Sequence, residues 1–223
     1  VQAHTDLDGH PLSAADLGSI VSDSLLHGES RVASAEGVVL VDTGNNTTDT
    51  RELLRHVRSV TTAPVRYVVI TQNHNDHSGG AVLVSPPATT VVHERVAKQW
   101  ASLRPHQITA WRRRFPERTA ARAAVTPVST VQSFRDRLTL RLGGKEIQLI
   151  YVDDPYNPGD IAVWLPKERV LHASMAGYKD RHPDIRPDYS HGTTEGLLKQ
   201  LKAYVSLRPQ IVVPAHGPVG GGW

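Results

Sequence analysis

Two apolar runs, separated by a segment of helical length, constrain this chain more than any other feature. Gly37-Val-Val-Leu-Val41 closes on Asp42-Thr-Gly44, and Val65-Arg-Tyr-Val-Val-Ile-Thr71 closes on Gln72-Asn-His-Asn-Asp-His77. Both runs are rich in β-branched residues and end in turn formers, the pattern of buried strands. Between them, residues 49–59 place Leu53, Leu54 and Val57 at helical spacing, with Thr48 or Asp49 as N-cap, and Pro64 breaks the chain beyond. Such a strand–helix–strand unit pairs its strands in parallel, so the two strand ends lie side by side.

The stretch before Ser30 mixes Gly, Pro, Ser and Asp with short apolar runs and reads as irregular, with room for one strand. Further strands are expected at 91–93, 138–142, 147–152, 161–165, 169–172 and 211–213, with Gly143-Gly144 as a hairpin turn. Residues 94–124 are helix-prone and basic, broken at Pro105 and Pro116, and their Trp100 and Trp111 suit either packing or a cleft wall. A second helix is expected over 193–207, capped by Thr193 or Thr194 and burying Leu197, Leu198, Leu201 and Val205. With no repeat and no linker, the order of elements predicts sheets covered by helices in one domain, residues 1–223, with 94–124 as an insertion or lid.

Composition narrows the function classes. A net charge of +3 over 223 residues is too small to argue for nucleic acid, and no apolar run nears the ~20 residues of a membrane-spanning helix. Neither nucleic acid nor a membrane is therefore an expected partner. Cysteine is absent, which excludes disulfides, thiolate ligands and a cysteine nucleophile, while histidine occurs twelve times. The sequence begins at Val1 rather than Met, as a processed or trimmed chain does, which tips the expected location towards periplasmic or secreted.

The chemistry concentrates in the loop after the second strand. His74, Asp76 and His77 lie within four residues, and imidazole and carboxylate are the ligands that zinc and iron take where thiolate is unavailable. Ser78, Gly79 and Gly80 let the backbone pass close beneath. The bland alternative is a polar surface loop that happens to hold two histidines.

Order along the chain separates these readings. Strand–Asp-Thr-Gly, helix, strand–His-x-Asp-His-x-Gly-Gly, then Pro158-Gly-Asp160 and Pro214-Ala-His-Gly217 resembles the metallo-β-lactamase superfamily over roughly residues 38–218. The resemblance implies an α/β fold, an αββα sandwich of two mixed sheets covered by helices on both outer faces. It maps the family's His-x-His-x-Asp-His loop onto Gln72, His74, Asp76 and His77, its late histidine onto His216, and its supporting aspartate onto Asp42. Asp76, His77 and His216 complete one metal position. The other would have Gln72, His74 and Tyr156, because Tyr156 stands where the family carries a histidine before Pro-Gly-Asp. Ala173-Ser-Met175 also lacks the family's bridging carboxylate.

The resemblance implies a hydrolase in which one zinc, with iron or manganese as alternatives, lowers the pKa of bound water and supplies hydroxide to a lactam, lactone, ester or thioester. In that scheme Asp76 ligates and orients the nucleophile, and Tyr156 donates to the developing oxyanion. The altered ligand set motivates a second reading: a non-hydrolytic binding or pathway-specific protein, or an iron oxidoreductase.

Other candidates are weaker. Arg112, Arg113, Arg114, Arg118 and Arg122 suit either a lid that attracts an anionic substrate or a solvated helix face. His182, Asp184, Asp188 and His191 suit a replacement ligand, a proton-transfer group or an exposed polar loop, and Asp153 and Asp154 lie close enough to Tyr156 to orient it or to contact metal. His172 reads as a half-buried strand histidine, Asp160 as a turn-fixing group, and Ser174 as a hydroxyl with no visible base.

Overall fold

The computed structural model describes residues 20–21, 30–102, 131–153, 157–179, 182, 193–217 and 219–221. Tyr156, Asp154, Trp111, the arginines of 112–122, Asp184, Asp188 and His191 lie outside the described residues.

The first sheet runs in spatial order β1 (Ile20–Val21), β2 (Ser30–Ser34), β3 (Gly37–Val41), β4 (Val65–Val69), β5 (Thr89–His93) and β6 (Val131–Phe134). Helix α1 (Thr47–Val60) links β3 to β4, which pair in parallel with Leu40 opposite Val68 and Val41 opposite Val69. The expected unit therefore forms, and it brings Asp42 beside Thr71: the Asp42 N–H donates to the Val69 carbonyl at 2.8 Å.

The second sheet holds β7 (Arg137–Leu142), β8 (Lys145–Tyr151), β9 (Ile161–Leu165), β10 (Val170–His172), β11 (Ile211–Val213) and β12 (Gly220–Gly221), stacked in the reverse of that order. Gly143 and Gly144 make the β7–β8 turn at φ 56° and 76°, values that two L side chains in succession rarely adopt. Both sheets mix parallel and antiparallel pairs.

Alternation along each strand sorts the apolar residues into three layers. Val39, Val41, Val69 and Val91 meet Leu149, Ile161, Val163 and Val213 between the sheets. Val38, Leu40, Val68 and Ile70 face outwards against Leu53 and Val57 of α1, with Val96 and Trp100 of α3 (Glu94–Ser102) in the same layer. On the far side, Ala162, Trp164 and Leu171 are covered by Leu197 and Tyr204 of α4 (Thr194–Ser206), the last helix described; α2 (Asn75–Ser78) is a single turn. This is the αββα sandwich. Strands covered on both faces are apolar throughout, which is why all five residues of β3 and of β9 are buried.

Four expectations are corrected. Helix α1 starts earlier than the apolar spacing implies, because extended Asn46 accepts the N–H groups of both Thr48 and Asp49, displacing those residues from the cap. Helix α4 is rotated from its expected face: Leu198 and Val205 are about half exposed, while Gln200 and Tyr204 are fully buried. A stripe through 197, 200, 201 and 204 faces the sheet, and Gln200 is accommodated by hydrogen bonds to Asp160 and Tyr204. His172 is buried at 2% exposure instead of half-buried. Finally, β2, β6 and β12 form strands at positions where no strand was expected.

Candidate metal centre

The site is assembled where β3, β4 and β11 end. Past β4, Thr71 and Gln72 lead into the single turn α2, in which the His74 carbonyl accepts the N–H groups of His77 and Ser78 at 3.1 Å each. That turn is stitched to the end of β3. The His77 carbonyl accepts the Thr43 N–H at 2.7 Å and the Thr43 hydroxyl at 3.1 Å, and the Gly79 N–H donates to the Gly44 carbonyl at 2.9 Å. Gly80 is obligatory, since a Cβ there would overlap the Thr50 side chain of α1. His216, just after β11, is held by a bridge to Tyr178, whose ring lies 5.6 Å from the imidazole.

These elements bring Asp76, His77 and His216 together, with one ligand atom from each within 4.8 Å of the others. Asp76 Oδ2 stands 3.6 Å from His77 Nε2 and 3.4 Å from His216 Nε2. His77 is fully buried, whereas Asp76 and His216 keep about a fifth of their side-chain surface, so the group is open on one side. His74 is not part of this convergent group. Gln72 is fully buried, and its side-chain oxygen accepts a hydrogen bond from Asn157 Nδ2 at 2.5 Å. His182 is exposed.

Asp42 takes the supporting position that the resemblance implied. It is wholly buried at φ 61°, and its carboxylate accepts the Thr71 N–H at 2.8 Å, the Thr71 hydroxyl at 2.7 Å and His77 Nδ1–H at 2.7 Å. The last bond fixes the imidazole with Nε2 turned towards Asp76 and His216. His77 Nε2 is buried and makes no hydrogen bond, which suits a nitrogen meant for a cation. Burial alone would lower the His77 pKa, but the Asp42 carboxylate, aided by Asp76 and Asp160, raises it to about 9. Burial works against ionised Asp76 too, yet the His216 hydrogen bond and the neighbouring His77 and His74 hold its carboxyl well below the usual range. Positive charge is favoured where the three groups meet, and Asp76, His77 and His216 fit a resident metal ion.

Behind Asp42 the polar chain continues through the core. Ser174, buried at φ 44°, donates its hydroxyl to Thr71 Oγ1 at 2.8 Å and lies beside Asp160, whose Oδ2 accepts from Gln200 at 3.3 Å. Thr71, Asn157 and Gln200 were not among the expected site residues. The signal for Thr71 was a hydroxyl at the last strand position, and for Gln200 a polar residue in register with Leu197 and Tyr204.

Burial pushes the Asp160 carboxyl up to about 7, against the pull of Ser174, Gln200 and His77. Its ordinary value is 3.8, so folding takes up a proton between those limits. The resulting stabilisation is full below the lower limit, shrinks as pH rises and is gone above the upper, a swing of at most about 4 kcal/mol. Asp160→Asn should flatten this dependence, so that the variant gains on the wild type between pH 5 and 8. Urea midpoints of the metal-free proteins at those two pH values measure it, and parallel curves would show that Asp160 ionises normally.

Comparison with known proteins agrees with this architecture. The chain is 24% identical to a linear primary-alkylsulfatase of a Pseudomonas species, over 85% of its own length and 41% of that protein's. It is also 24% identical to a type 2 metallo-beta-lactamase of a Bacillus species, over 84% of its length and 65% of that enzyme's. The chain thus spans less than two thirds of either curated relative. Among solved structures, a metallo-beta-lactamase from Pontibacter korlensis superimposes with a TM-score of 0.66 at 23% identity, covering 86% of this chain and 80% of that one. The sequence pattern of the metallo-beta-lactamase superfamily matches residues 31–216, a span that runs from β2 to His216. Through that match the chain belongs to the metallo-beta-lactamase superfamily, a family of metal-dependent hydrolases.

Proposed function

We propose that this chain is a single-domain zinc hydrolase that opens a lactam, lactone, ester or thioester bond of a small molecule. The observation that carries the reading is the convergence of Asp76, His77 and His216 around a buried imidazole nitrogen with no hydrogen bond, on a side open to solvent. A cation held there supplies Lewis acidity and lowers the pKa of coordinated water towards ~7. The protein's own groups do the rest. Asp42 orients His77 and keeps its Nε2 available. Asp76 would help hold the cation, and its carboxylate would orient the attacking water. Tyr156 is proposed, on its place in the sequence alone, as donor to the developing oxyanion.

The test compares zinc-loaded and chelator-treated protein on a panel of lactam, lactone, ester and thioester substrates. The likeness to an alkylsulfatase adds a sulfate ester to that panel. Turnover of at least one class should disappear with the metal and return on adding zinc. Full zinc loading with no turnover on any class would point to the non-hydrolytic alternative.

A further inference from the structure

Among the described residues, Gln72 and Asn157 form a feature beside the centre that metal binding at Asp76, His77 and His216 leaves unexplained. Gln72 is fully buried at the end of β4, and Asn157, 3% exposed, opens the turn that leads into β9. Their side-chain amides meet directly. The same two segments are also joined through the backbone, where the Ile161 N–H donates to the Thr71 carbonyl at 3.0 Å. Within the turn, the Asp160 N–H returns to the Asn157 carbonyl at 2.8 Å.

An amide ligates a cation through its oxygen, and one of the two lone pairs of the Gln72 oxygen is already engaged by Asn157. Beside it is Nε2, a buried donor that makes no hydrogen bond and presents hydrogens to anything nearby. Met175 is 3% exposed and its sulfur accepts the Tyr178 hydroxyl at 3.5 Å, so no carboxylate stands there to share two cations. His74 acts on the Asp76 carboxylate electrostatically but is not one of the three side chains that converge.

We propose that the Gln72–Asn157 amide pair is a direct clamp between the metal loop and the turn before β9, that it removes Gln72 from the ligand set, and that the protein holds one metal per chain. This rests on the metal-centre reading above. Turning both amides by half a rotation would present the Gln72 oxygen instead, and a second equivalent of metal would reveal that arrangement.

The experiment measures zinc per chain by plasma mass spectrometry after dialysis against excess zinc, together with the melting temperature of the metal-free protein. Wild type, Gln72→Met, Asn157→Leu and the double variant are compared. One equivalent is expected in all four. Each single variant strands a buried amide and should lower Tm by about 4 °C, while the double variant, which removes both polar groups, should recover more than half of that loss. Two equivalents in the wild type, falling to one in Gln72→Met, would overturn the inference and leave the hydrolase reading intact. No metal in the wild type would overturn both. Additive Tm losses would overturn the clamp. The wild-type count stands even if a variant fails to fold.

Discussion

His216→Ala is expected to empty the centre of metal and to slow turnover by on the order of a thousandfold, the rate equivalent of the several kcal/mol that a Lewis acid contributes. Two ligands from one short loop then remain, Asp76 and His77, with nothing from the second sheet to close the set. The protein should stay folded, because His216 is partly exposed and stands outside the three apolar layers. Metal content, the rate on whichever substrate the wild type turns over, and far-ultraviolet circular dichroism are read on the same preparation. A variant that keeps a full equivalent of zinc would remove His216 from the ligand set. Loss of the circular dichroism signal would instead assign it a structural role.

Asp42→Ala should cost about 3–5 kcal/mol, a large share of the 5–15 kcal/mol by which a domain is ordinarily stable. It takes the carboxylate acceptor from the Thr71 N–H, the Thr71 hydroxyl and the His77 Nδ1–H in a region closed to water, and leaves His77 Nδ1 with Thr71 Oγ1 at 3.2 Å. Asp42→Asn separates stability from metal binding. Its oxygen can still take the Thr71 N–H, but its NH2 faces His77 Nδ1, which favours the tautomer protonated at Nε2, the nitrogen the metal needs. Zinc affinity should fall about 10- to 100-fold, with a smaller loss in urea resistance than alanine causes. Competition with a chromophoric chelator measures the first and a urea titration the second. Unchanged zinc affinity in Asp42→Asn would show that this carboxylate does not set the imidazole.

Legibility from sequence followed the physics of each element. β3 and β4 are continuous β-branched runs, and the α1 connection imposes parallel pairing, so their strand ends and the loops beyond could be read directly. β2 and β6 carry mixed sequences, Ser-Arg-Val-Ala-Ser and Val-Gln-Ser-Phe, and the first three residues of β6 are exposed at the sheet's edge. Such strands are set by their neighbours and not by their own apolar pattern. On α4, hydrophobicity favoured Leu198 and Val205, but the helix turns Gln200 inwards because Asp160 and Tyr204 wait there, and no local window contains that information. The ligand loop was visible because three of its chemical groups are neighbours in sequence. Of its support, Asp42 came with the family pattern, whereas Thr71, which meets Asp42 across 29 positions and Ser174 across 103, did not.

The candidate ligands Asp76 and His77 follow a strand of the first sheet, and His216 follows a strand of the second, 139 positions after His77. A cation gripping all three ties off a loop of that length, and the entropy of closing a loop grows with its span, so the ion withdraws much of the freedom of the unfolded chain. Late in folding, the three donors come within reach of one another only once both sheets have docked. Metal uptake, followed in time during refolding, would therefore serve as a clock for the docking of the two halves. It should lag behind the appearance of secondary structure and keep pace with closure of the core between the sheets.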